Sequence, residues 1–139
     1  MIGIIGAMDE EVEQIVAVMD IKKEETKACM TFKAGILADK DVVIVRSGIG
    51  KVNAAVCTQI LVDDFGVDYV INTGIAGSLR AEIDIADIVI SSDVLHHDMD
   101  ATGFGYPLGQ IPRMDTLSFK ADERLIELAK ESCAKVVTS

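Results

Sequence analysis

The chain has 139 residues, half of them apolar and only 4% aromatic, and a net charge of −10 from 13 basic and 23 acidic side chains. Such apolar content excludes a disordered chain, and such a charge repels polyanions, so nucleic acid is not expected as a partner. The apolar runs stay well below the roughly 20 residues that cross a bilayer, and no basic stretch leads into an apolar signal core, so a membrane or secretory role is not expected either.

Ile2-Gly3-Ile4-Ile5-Gly6-Ala7 opens the chain as a short apolar run of the kind that forms a buried strand. Val12, Ile15, Val16 and Met19 then recur at helical spacing, with Asp9, Glu10 and Glu11 in the first turn, where acidic groups complement the helix dipole. Residues 26–37 mix β-branched and apolar side chains, and Asp39-Lys40 marks a turn. A second buried strand, Val42-Val43-Ile44-Val45, runs into Ser47-Gly48-Ile49-Gly50-Lys51. A helical pattern from Val52 to about Phe65 follows, with Gly66 as its stop. The third strand, 67–72, ends in Thr73-Gly74-Ile75-Ala76-Gly77-Ser78, and a fourth is expected over 85–91, extending to Leu95.

No period is visible from His96 to Leu117, and a loop of that length inside a compact domain is usually functional or an interface arm. A last helix is expected from about Asp122, a suitable N-cap, and 135–139 begins to read as another strand. Strands alternating with helices predict an α/β fold with a largely parallel sheet. The chain is expected to form a single domain over 1–139 and to continue beyond it in the parent protein.

Two glycine-rich strand ends carry the first hint of function. Gly48-Ile49-Gly50-Lys51 is not a triphosphate loop, because Val45 stands at the first glycine position and Val52 follows the lysine. Nor is it a dinucleotide fingerprint, because Asn53 stands at the third glycine position. It is either a packing turn or a place where a ligand reaches backbone N–H groups. The 74–78 turn repeats the pattern, and two such turns on successive strands line the sheet edge where α/β folds bind ligands.

Among the three acidic residues, Glu11 directly precedes the apolar stripe. A carboxylate half-buried there is expected to have a raised pKa and to act as a base on water; the alternative is a solvated helix start. His96, His97, Asp98 and Asp100 match no standard metal spacing, so no metal site is expected. Phe104, Tyr106 and Pro112 need something to pack on, a ligand or a partner subunit. Cys29, Cys57 and Cys133 are odd in number and widely spaced, which points to reduced thiols in a cytoplasmic protein.

These segments together resemble the 5′-methylthioadenosine/S-adenosylhomocysteine nucleosidases. The likeness rests on residues 2–12, on Ser47 to Ala55, on Asn72 to Ser78, and on His97-Asp98 with 103–106 and 109–112, in family order. The resemblance implies a three-layer nucleoside phosphorylase/hydrolase-type α/β fold with a central twisted mixed sheet, incomplete here at its C-terminus. It implies hydrolysis of the N-glycosidic bond of 5′-methylthioadenosine and S-adenosylhomocysteine to release adenine, with no metal or organic cofactor.

By the same resemblance Glu11 is the base that activates water. Met8, Ile49, Ala76 and Gly77 line the ribose and base pocket. Phe104, Tyr106 and Pro112 belong to the 96–117 loop, which reaches across a homodimer to close the neighbour's 5′-alkylthio pocket. Ile75 departs from the serine many relatives carry. The family's catalytic Asp and ribose-binding Glu lie beyond residue 139, so the 139-residue chain alone is expected to turn over little. Two other readings stay open: a phosphorolytic relative, with Arg46, Lys51 and Arg80 near the glycine turns, and a non-catalytic fragment that binds nucleosides or dimerises.

Overall fold

A computed structural model describes residues 1–137. The chain divides into two compact units, Met1–Gly77 and Ser78–Ser139.

The first unit is a mixed sheet with a helix on each face. Its elements are β1 (Ile2–Gly6), α1 (Asp9–Ala17), β2 (Asp20–Lys27), β3 (Met30–Leu37), β4 (Lys40–Arg46), α2 (Lys51–Phe65) and β5 (Tyr69–Asn72). The strand order is β2-β3-β4-β1-β5. β1 is parallel to both β4 and β5, whereas β2, β3 and β4 form an antiparallel meander. Both meander turns are two residues long and left-handed, with φ of 49° and 62° at Ala28 and Cys29 and of 46° and 60° at Ala38 and Asp39. That geometry matches the twist of paired strands.

Alternation along the strands builds two cores. Ile5, Val43 and Val45 pack with Phe32, Cys57 and Leu61 beneath α2. Ile4, Val42 and Ile44 pack with Val12 and Met19 beneath α1. Neighbouring residues on a strand face opposite ways, so strands buried on both sides show unbroken apolar runs, as β1 and β4 do. The helix–sheet–helix layering and the mixed sheet are the expected three-layer α/β architecture. Gly66 ends α2 in the left-handed conformation, φ 61°, at no side-chain cost.

The second unit holds a two-stranded sheet of β6 (Asp93–Val94) and β7 (Phe119–Lys120), a 3₁₀ turn (Thr102–Phe104) and α3 (Glu123–Val137). Asp122 caps α3, its Oδ1 accepting the Leu125 N–H at 2.9 Å. The strand expected over 85–91 is absent: the segment is irregular, with Ile85, Ile88 and Val89 exposed. A strand needs a neighbour for its backbone donors and acceptors, and none pairs with this segment among the described residues. Residues 135–137 continue α3 rather than starting a strand, because that helix has no stop signal before them; Thr138 and Ser139 lie outside the described residues. No helix among the described residues is long and apolar enough to cross a membrane.

Candidate active site

The three parallel strands end at one edge of the sheet and stay in register as they leave it. Past β4, the Ser47 N–H donates to the Gly6 carbonyl at 2.9 Å, and past β5, the Thr73 N–H donates to the Ile5 carbonyl at 2.9 Å. Buried Ser47 adds a hydroxyl bond to the Gly48 carbonyl at 2.9 Å. The turn after β4 is tied to α2 by Asn53, whose amide donates to the Ile49 carbonyl at 2.8 Å.

Glu11 sits at this edge, in the third position of α1, half-buried. Its Oε2 accepts the N–H groups of Ala7 at 2.6 Å and Met8 at 3.0 Å. Its Oε1 accepts the N–H of Ile75 at 3.2 Å. The Met8 bond satisfies the N-cap backbone N–H and so serves the helix start. The Ile75 bond has no such local purpose, since it reaches 64 residues along the chain to the turn after β5.

Two glycines leave room for this arrangement. A Cβ on Gly6 would lie 3.1 Å from the Glu11 Cβ and 2.6 Å from Val12 Cγ1. A Cβ on Gly74 would lie 2.5 Å from Glu11 Oε1. Asp9, at the start of the same helix, pairs with Arg46 at the end of β4, 3.0 Å apart.

Burial pushes the Glu11 carboxyl pKa upward, but the backbone donors of Met8, Ile75 and Ala7 together outweigh it and hold the group below the usual glutamate value. This corrects the expectation of a raised pKa. Sequence position announced the burial but not the amides aimed at the carboxylate. The group is therefore ionised throughout the neutral range.

Met8 and Ile49, with Ala7, Asp9, Glu10, Arg46 and Gly48, line an open depression of about 380 Å³ at the start of α1, which Glu11 itself does not line. Ala76 and Gly77 follow the Ile75 amide directly and are exposed. Thus Met8, Ile49 and Glu11 gather at one edge with the turn that carries Ala76 and Gly77. Ile75 contributes its main-chain N–H, while its side chain is 85% exposed. Holding Glu11 therefore does not depend on having serine there.

In the second unit Phe104 is exposed on the 3₁₀ turn. The Tyr106 hydroxyl accepts the Arg113 N–H at 3.3 Å, which brings its ring end to the peptide after Pro112. Sequence reasoning missed the roles of Gly6 and Gly74 and of the Ala7 and Ile75 amides. A glycine at the end of β1 and another two residues past β5 were the available signal for the first two.

The profile of the Phosphorylase superfamily matches residues 1–137. A 5′-methylthioadenosine/S-adenosylhomocysteine nucleosidase from a Marinomonas species is 51% identical over 135 residues, 97% of this chain and 58% of the relative. The crystal structure of the Neisseria meningitidis nucleosidase of that name, in complex with methylthio-immucillin-A, is 41% identical with a TM-score of 0.93, over 97% of this chain and 58% of that one. The Colwellia psychrerythraea nucleosidase in complex with adenine is 45% identical with a TM-score of 0.90, over 99% and 57%. The chain thus spans a little under three fifths of the length of these relatives.

Proposed function

Because the chain belongs to the Phosphorylase superfamily, we propose that the protein is a nucleoside hydrolase that cleaves the N-glycosidic bond of 5′-methylthioadenosine and S-adenosylhomocysteine and releases adenine. The observation that carries this reading is the Glu11 carboxylate, held at the ends of parallel strands by three backbone amides. A carboxylate offers about four lone-pair sites. Oε2 uses two of its own on Ala7 and Met8, and Oε1 uses one on Ile75, which leaves one site on Oε1 for a hydrogen of water.

The chemistry needs little more from this residue. As the bond between C1′ and the base nitrogen breaks, its electron pair goes to the adenine ring, which takes up a proton. The sugar becomes oxocarbenium-like. Water then adds its oxygen to C1′ and gives a proton to Glu11. An oxocarbenium is so electrophilic that a weakly basic carboxylate suffices, provided it is ionised, and its charge also stabilises the developing cation. The adenine-protonating acid and a ribose-binding carboxylate belong, on this reading, to sequence beyond residue 139.

Met8, Ile49, Ala76 and Gly77 would line the ribose and base, and Phe104, Tyr106 and Pro112 would close the 5′-alkylthio pocket of a second subunit in a cytoplasmic homodimer. No metal or organic cofactor takes part. Hydrolysis is favoured over phosphorolysis because Arg46, the cation at the end of β4, already faces the Asp9 carboxylate. The test is adenine release from methylthioadenosine by the full-length protein and by the 139-residue chain. We expect release by the full-length protein without phosphate, and little by the chain alone. Release that requires phosphate, or binding without release, overturns the hydrolytic reading.

A further inference from the structure

We propose that Gly74 is a positioning residue for the reaction: the absence of a side chain there keeps Glu11 Oε1 in place and leaves its open side accessible to water. This rests on the hydrolytic reading for its chemistry, but its geometry stands alone. A Cβ at Gly74 would come within 2.5 Å of Oε1, 2.8 Å of the carboxyl carbon and 3.2 Å of Oε2, and its three nearest neighbours are all carboxylate atoms of Glu11. Real Cβ atoms essentially never come within 3.0 Å of another heavy atom, so the carboxylate would have to shift.

Conformation does not explain the glycine. Among the described residues the glycines with left-handed φ are Gly48, Gly50, Gly66, Gly105 and Gly109, and Gly74 is not one of them. Alanine is therefore compatible with the backbone at 74, and what it displaces is the end of a flexible side chain rather than the core. Gly6 differs: its Cβ would press on buried Val12 at 2.6 Å, so a change there disturbs packing as well.

Displacing the carboxylate also undoes its electrostatics. Oε1 would lose the Ile75 N–H, one of the three donors that favour the charged form, while burial, which opposes it, remains. Asp9 and Glu10 share its helix turn, and Arg46 at the end of β4 is already paired with Asp9. None replaces the lost amide.

The experiment compares the full-length protein with Gly74→Ala, reading kcat, the acid limb of kcat/KM, and the titration of the Glu11 side-chain carboxyl by carbon NMR. We expect kcat to fall about 10²-fold, as for a reacting group misplaced by about 1 Å. We also expect the acid limb and the carboxyl titration to move together to higher pH, with a melting temperature within about 4 °C of the parent. The second arm places Gly74→Ala in a Glu11→Ala background, where it should cost nothing further, because the group it acts through is gone. An unmoved carboxyl titration in the first arm, or losses that multiply in the second, overturns the proposal. The NMR readout needs no turnover. A protein that releases no adenine but whose Glu11 titration moves in Gly74→Ala therefore sinks the hydrolytic reading and leaves the positioning role standing.

Discussion

Replacing Glu11 by glutamine preserves its length and removes its charge, which isolates what the three amides contribute. Glutamine has one acceptor oxygen. Turned toward Ala7 and Met8, it keeps those two bonds, but a charged acceptor worth about 1.5–3 kcal/mol per bond becomes a neutral one worth about 1. Its NH₂ then faces the Ile75 N–H, donor to donor, where Oε1 stood 3.2 Å away. That amide lies on an exposed turn and recovers water, so no buried orphan remains. With solvent screening at a half-buried site, the net loss is about 1–3 kcal/mol at pH 7.

The pH dependence has a definite sign. The native pKa of Glu11 lies below the ordinary 4.5, so its stabilisation is fully present above that value and is lost as the pH falls through the native pKa. Urea unfolding of Glu11→Gln and the parent should therefore show a gap at pH 7 that closes in acid, together with a drop in hydrolysis of about 10²–10⁴-fold. Equal stability at pH 7, or a gap that persists undiminished in acid, would refute the reasoning.

Leu61 is fully buried beneath the sheet, where its methyls fill the space beside Gly3. Leu61→Ala should cost about 2–5 kcal/mol in urea unfolding, and a loss under about 1 kcal/mol would mean the site relaxes freely. Burial also pushes the Cys57 thiol up to about 11. At pH 8 it should resist a disulfide reagent until the protein unfolds, while Cys29, exposed on the hairpin, reacts at once; immediate mass labelling of Cys57 in the native protein would contradict this.

The parallel half of the sheet was legible because burial on both faces writes itself as unbroken apolar runs, as at 42–45. β2 was not, since Asp20–Lys27 is an edge strand rich in charge that carries little apolar signal. The first hairpin turn was hard to read, because Ala28 and Cys29 adopt φ values usually left to glycine or asparagine, while the second, read at Asp39-Lys40, falls one residue earlier at Ala38-Asp39. The run at 85–91 shows the opposite failure: its composition suits a strand, but composition cannot supply the partner. At the site, Glu11 and the two glycine turns were visible from type and spacing. The direction of its pKa shift was not, because the deciding donors are main-chain amides, which every residue but proline carries alike.

β1 works as a caliper. Ile4 and Ile5 are committed to opposite cores, so sliding the strand by one position would exchange their faces and empty both. Its level is fixed again by ladders on either flank, to β4 and to β5. The Ala7 and Met8 amides, only one and two residues past its end, inherit that calibration, and Ile75 inherits it through β5. The precision of the carboxylate's cradle is thus gauged by aliphatic packing beneath it, and a core substitution that lets β1 creep would blunt the chemistry without touching any residue that performs it.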